Sequence, residues 1–311
     1  MGLYPQEIKN YLALVGIPQG PNSNVYLVDP VNGLDTNPGD RWTKPLKTVA
    51  AAYAKCTADQ HDTVLFIAGD TADNPTASIT WSKDYTHLVG MSSPLPGVGQ
   101  RCRIVGTAAL DLTPVITFSG NGCIVKNIQI FNEKDANTDS GAVIVSGGRN
   151  YFQNVFFAGM GHATPAARAG SYSLKVTGGE NVFEDCAIGL DTIVRAAANC
   201  ELWISTGAVR NIFKHCRFLS ASETAGKFLV AVDDGDRWQE FEDCVFQNFS
   251  VNWAVSLTDA FNMTAAATHQ IILRGLNYLI GVTGWANTVT HLYSAAPQSN
   301  AGFGVTVSPT T

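Results

Sequence analysis

The chain has 311 residues, with 20 Lys+Arg against 26 Asp+Glu for a formal net charge of −6, and pairs 15% charged residues with 45% hydrophobic ones. That balance excludes disorder, which needs low hydrophobicity with high charge, and leaves no basic footprint for nucleic acid or an anionic membrane. The first residues lack the basic start, apolar stretch and cleavage site of an export signal, and no apolar run approaches the roughly 18 residues of a spanning helix.

Ile8, Tyr11, Leu12 and Val15 form an apolar stripe at helical spacing, stopped by Gly16 and Pro18. Residues 18–24 are a Pro/Gly/Asn linker. A short helix tethered in this way either folds back on the domain or docks on a partner. Residues 1–24 are expected to be an arm that docks through those four side chains. A strand at Val25–Val28 and a turn-rich loop follow. Pro45 then opens a helix in which Leu46, Val49, Ala50 and Tyr53 share one face, predicting a start cap.

Between residues 116 and 246 the sequence repeats itself. Five segments each read as an apolar strand, a turn rich in Gly or Asp, and a second apolar strand. The second strands begin at Val125, Phe152, Phe183, Phe213 and Phe241, spaced by 27, 31, 30 and 28 residues. A strand-only repeat of this period is one turn of a parallel β-solenoid, so residues 25–261 are expected to form an all-β solenoid domain. In Phe183-Glu184-Asp185-Cys186-Ala187-Ile188, strict alternation cannot turn Phe183, Cys186 and Ile188 all inward. A bend at the third position repairs this, which predicts a corner column of Asn127, Asn154, Asp185, His215 and Asp243. Asn and Asp tolerate left-handed backbone there. A carboxylate cluster at Asp185 and Asp243 is the functional alternative. From 262 to 311 the repeat fades into a strand-rich segment, expected to cap the last coil or to join subunits.

The seven cysteines include no C-x-x-C pair, which disfavours structural zinc, and the chain is no small secreted domain needing a disulfide framework. Cys186, Cys216 and Cys244 share one repeat position and are expected to stack inward as free thiols.

The run Tyr26-Leu27-Val28-Asp29, Gly33-Leu34-Asp35, Gly39 and Pro45-Leu46-Lys47-Thr48-Val49, with the asparagine-bearing coils after it, resembles the pectin-lyase-like right-handed β-helix superfamily over residues 25–260. The resemblance implies a right-handed parallel β-helix. It implies little chemistry, since that superfamily includes polysaccharide lyases, hydrolases, phage tailspikes and non-enzymatic virion proteins. Its trimeric phage members imply a homotrimer.

A search for chemistry finds few candidates. Asp233-Asp234-Gly235-Asp236 resembles a calcium loop loosely but lacks the later ligands, and a solvated turn explains it. His61, His87, His162, His269 and His291 have no i, i+4 partner, and Ser173 and Ser205 lack a nucleophile elbow. Gly120 to Gly122 is a β-turn with no helix after it. Trp42, Trp81, Trp203, Trp238, Trp253 and Trp285 serve either packing or sugar stacking. No catalytic, metal or cofactor site is expected. These readings favour a non-enzymatic structural protein of a bacteriophage virion, a capsid decoration or spike assembled in the host cytoplasm beside other virion proteins. The alternatives are a tailspike polysaccharide lyase or hydrolase, or a carbohydrate-binding adhesin. Nucleic acid and membrane are not expected partners.

Overall fold

In the computed structural model, the described residues are 6–92, 102–224, 227–233, 237–251, 254–264, 270–288, 291–294 and 306–307. They form a parallel β-helix of three sheets. Sheet A has ten strands running from Val25–Val28 to Leu292–Ser294, and sheets B and C have eight each. Each coil passes through sheet C, then A, then B, and every pairing joins equivalent strands of successive coils in parallel. The fold is the right-handed parallel β-helix.

The repeat positions are structural equivalents. Val125, Phe152, Phe183, Phe213 and Phe241 are in register on adjacent strands of sheet A and point into one continuous core. From Phe152 to Phe241 their rings lie nearly parallel, with centroids 4.9, 4.8 and 4.8 Å apart. That spacing is the separation between neighbouring strands, so like stacks on like without leaving voids.

From the coil of Val125 to that of Phe241, sheet A turns into sheet B through a single left-handed residue. Asn127, Asn154, Asp185, His215 and Asp243 have φ between 51° and 56°, and Gly275 continues the column at 67°. The residue after the corner faces inward, which buries Cys186, Cys216 and Cys244. Each of these thiols donates to the backbone carbonyl of Phe152, Phe183 or Phe213 on the preceding coil. Burial pushes the Cys186 and Cys244 thiols well up, and all seven cysteines are buried and unpaired.

A second ladder lies between sheets C and A, and the sequence pattern did not reveal it. Asn150, Asn181, Asn211 and Gln239 are buried one above another. Each Asn side-chain oxygen accepts the backbone N–H of the preceding ladder position: Asn150 from Cys123 at 2.7 Å, Asn181 from Asn150 at 3.0 Å and Asn211 from Asn181 at 2.9 Å. Each side-chain nitrogen donates to a turn carbonyl of the preceding coil, for example from Asn181 to Gly147. Both ends of every amide are therefore satisfied in a dry interior, as burial demands.

Three expectations need correction. Helix α1 (Gln6–Leu14) folds back on the solenoid: Ile8 and Leu12 are buried against Val25, Leu27, Leu65 and Val89, with Tyr11 and Val15 packed beside them. The first strands of sheet A carry apolar residues on both faces, so the outer face needs this cover, and the helix has no free apolar stripe left for a partner. Two contacts fix it: Lys126 Nζ donates to Val15 O at 2.6 Å, and the Tyr11 hydroxyl donates to Gly90 O at 3.1 Å. Helix α2 (Val49–Lys55) starts at Thr48, whose hydroxyl caps Ala51 N, rather than at Pro45. Its buried face is Val49, Ala52 and Tyr53, while Ala50 is exposed and Leu46 pairs in an extended bridge with Val28. Finally, the coils do not stop near 261. Strands Gln270–Arg274, Tyr278–Ile280, Val282–Ala286 and Leu292–Ser294 extend all three sheets, and Leu273 takes the inward slot above Phe241. Most of the remaining tail, 295–305 and 308–311, lies outside the described residues.

Candidate functional site

The connections from sheet B to sheet C vary most in length, from the loop 159–171 to Gly281 alone, and they are individually built. The loop after Phe156–Ala158 carries the short helix α3 (Ala163–Ala166), and the strand Ala187–Arg195 overruns its neighbours with a register shift between Leu190 and Val194. Arg195 is the clamp among these loops. Its guanidinium, fully buried, donates to Asn199 Oδ1 at 2.6 Å, Ser220 Oγ at 3.0 Å and Phe228 O at 2.8 Å. Asn199 reaches Ala166 O and Arg168 O at the α3 loop. Glu201, also buried, lies 3.5 Å from Arg195 and accepts from Ser173 Oγ at 2.7 Å. Burial pushes the Glu201 carboxyl up to about 7 against the pull of Arg195, and burial likewise lowers Arg195.

This network holds the loops beside the outer face of sheet C, where an aromatic cluster lies. Tyr172, Cys200 and Ala231 pack with the partly exposed Ile144, Trp203 and Phe228. Trp203 is the centre. Lys175 Nζ sits 3.8 Å from its ring centroid, Tyr172 meets it edge-on at 5.9 Å, and its Nε1–H donates to Asp233 Oδ2. Lys175 and Trp203 are neighbours in the strand register, so stacking of successive coils places the ammonium over the indole. The strip combines an apolar ring, a cation and an oriented carboxylate. That set suits a sugar ring with hydroxyl or carboxylate substituents.

Asp233 is thus held by Trp203, while Asp234, Gly235, Asp236, Trp253 and His269 lie outside the described residues. Glycoside hydrolysis uses two carboxyl groups flanking the scissile bond, and among the described residues this strip supplies Asp233. At the corner, His215 Nδ1 lies 3.5 Å from Asp185 and its Nε2 3.8 Å from Asp243. Burial and the neighbouring Glu184 raise the Asp185 carboxyl. The corner column and α1 meet at a groove of about 610 Å³ lined in part by Tyr11, Val15, Tyr151, Asn154 and Asp185. His61 and His87 contact each other at 3.1 Å, with burial driving His87 down to about 3. Among the described residues no three His, Cys, Asp or Glu side chains gather as metal ligands, and no helix is long and apolar enough to cross a membrane.

The sequence matches no family model and no curated protein. By shape the chain is similar to several pectin-acting enzymes. A pectin methylesterase solved with a hexasaccharide aligns with TM-score 0.54 and 17% identity, covering 91% of this chain and 93% of that one. The carrot pectin methylesterase aligns at 0.55 and 12% identity, over 91% and 86% of the two chains. A rhamnogalacturonan lyase aligns at 0.52 and 11% identity, over 85% and 74%. The fold is that of the pectin-lyase-like β-helices. At such identities the likeness establishes the β-helix architecture and leaves the chemistry to the residues themselves.

Proposed function

We propose that this protein is a polysaccharide-recognising β-helix whose binding face is the outer strip of sheet C. The observation that carries the reading is Trp203, fixed by Lys175, Tyr172 and Asp233 beside loops that the buried Arg195 clamps together. The proteins of similar shape are named for pectin or rhamnogalacturonan, which supports a polysaccharide as the ligand class through shared architecture alone. The test is titration of the full chain with acidic and neutral polysaccharides, followed by tryptophan fluorescence and calorimetry. Saturable binding that Trp203→Ala weakens at least about tenfold, with the melting temperature retained, is expected. Absence of binding across the panel overturns the proposal. Release of reducing ends or unsaturated uronates, abolished by Asp233→Ala, would turn the binding face into an active site.

A second reading, a structural subunit of a phage particle, has its own supporting observation. Val194, Ala221 and Phe249 line up in register on the outside of sheet B, and Val194, Phe249 and the nearby Val251 are exposed. Apolar rows of this kind suit burial in an assembly. Mass spectrometry and imaging of purified particles would find the chain in stoichiometric amounts if this reading holds, and would find none if it fails.

A further inference from the structure

The outer face of sheet A is covered along only part of its length. On the first coils α1 lies over Leu27, Leu65 and Val89, and it ends at Lys126, whose ammonium meets the Val15 carbonyl. Beyond that rung the register continues through Gln153, Glu184, Lys214, Glu242 and Arg274. Two positions earlier on each strand, and so on the same face, Tyr151, Val182, Ile212, Glu240, Ile272 and Tyr293 form a parallel column. Five of those six are apolar or aromatic and part-exposed. Glu240 is turned toward Arg274 at 3.2 Å, and its side chain is only 15% exposed.

The charged column has a symmetry of its own. Read along the solenoid it runs Glu184, Lys214, Glu242, Arg274, so the signs alternate, and reversing the order inverts every sign. Two copies packed through this face in parallel would set equal rungs together, Glu against Glu and Lys against Lys. Two copies packed antiparallel, about a two-fold axis lying along the strand direction, would set Glu184 against Arg274 and Lys214 against Glu242, with both pairs formed twice. The axis that does this falls midway between Lys214 and Glu242. The uncovered face, from the strand of Tyr151 to that of Tyr293, is centred on that same point. With that axis Tyr151 meets Tyr293 at each end, Val182 meets Ile272, and α1 of one copy stands just past the last coil of the other.

The geometry points to a second copy of this chain as the occupant of this face, bound antiparallel in an isologous dimer. This goes beyond the polysaccharide reading, which uses sheet C, and disfavours a parallel trimer built through sheet A. It also explains why the first coils carry a helix where the later ones carry a stripe of half-exposed apolar residues: each half of the sheet is covered, one by α1 and the other by the partner.

Sedimentation equilibrium of the full chain should show a dimer. The double variant Tyr151→Cys/Tyr293→Cys then reports orientation. In one chain those positions lie five coils apart, about 24 Å at the ~4.8 Å strand separation, too far for an internal disulfide. Oxidation should yield a cross-linked dimer whose digest contains the 151–293 linked peptide, since the seven native cysteines are buried. Lys214→Glu should weaken dimerisation about tenfold or more, and Lys214→Glu/Glu242→Lys should restore it, the circular dichroism melt being followed for each. A monomer or trimer, a 151–151 linkage, or a charge reversal without effect would overturn the proposal.

Discussion

The two ways in which the coil turns a corner differ sharply. From the coil of Val125 to that of Phe241, one residue with φ near 50° turns sheet A into sheet B, and Asn, Asp or His serves. Between sheets B and C the chain uses loops of unlike length, several of them fastened by a buried ion pair and its hydrogen bonds. The first solution depends on backbone conformation and repeats because neighbouring coils impose the same geometry. The second depends on particular side chains meeting once, and it is next to these loops that the half-buried indole of Trp203 is held. Uniform turns keep the solenoid in register, and the irregular side is where a β-helix acquires a specific surface.

That contrast can be broken most forcefully at Arg195. Arg195→Ala strands the Glu201 carboxyl and the Asn199 and Ser220 side chains, and should cost about 3–5 kcal/mol by denaturant unfolding. A loss below about 1 kcal/mol would mean the loops are not clamped. The regular ladder makes a smaller test: Asn181→Ala leaves the Asn150 N–H and the Gly147 carbonyl without their partners and should cost about 1–3 kcal/mol. A pH series sharpens the comparison further. With Glu201 raised to about 7 from an ordinary value of 4.5, the folded state holds the extra proton between those values. Its contribution to stability is complete below pH 4.5 and is lost as the pH rises through 7. The wild-type melting temperature should therefore fall between pH 5 and pH 7.5 relative to Glu201→Gln. Parallel profiles would show that the carboxyl titrates normally. The smallest effect belongs to the simple corner. His215→Gly should shift stability by less than about 1 kcal/mol, because glycine accepts positive φ. His215→Val, which does not, should cost about 1–2 kcal/mol, and equal effects of the two would argue that something other than backbone conformation sets the corner.

The sequence alone determined the coil. The spacing of Val125, Phe152, Phe183, Phe213 and Phe241, together with the break in alternation after each of them, is enough to define a strand, a bend and an inward cysteine or its equivalent, because these are local constraints repeated at a fixed period. The buried amide ladder of Asn150, Asn181 and Asn211 carried a readable signal, an Asn recurring just before the second strand, but its meaning needs to be seen across coils. Tertiary structure decided the rest. Whether α1 folds back or docks elsewhere depended on the apolar outer face of sheet A, formed by strands tens of residues away. Arg195, Asn199, Glu201, Ser173 and Ser220 have no shared spacing, and Trp203, Lys175 and Asp233 come from three successive coils. Such contacts arise only when the coils stack, since the partners of each polar group are chosen by distance in space while the sequence records only distance along the chain.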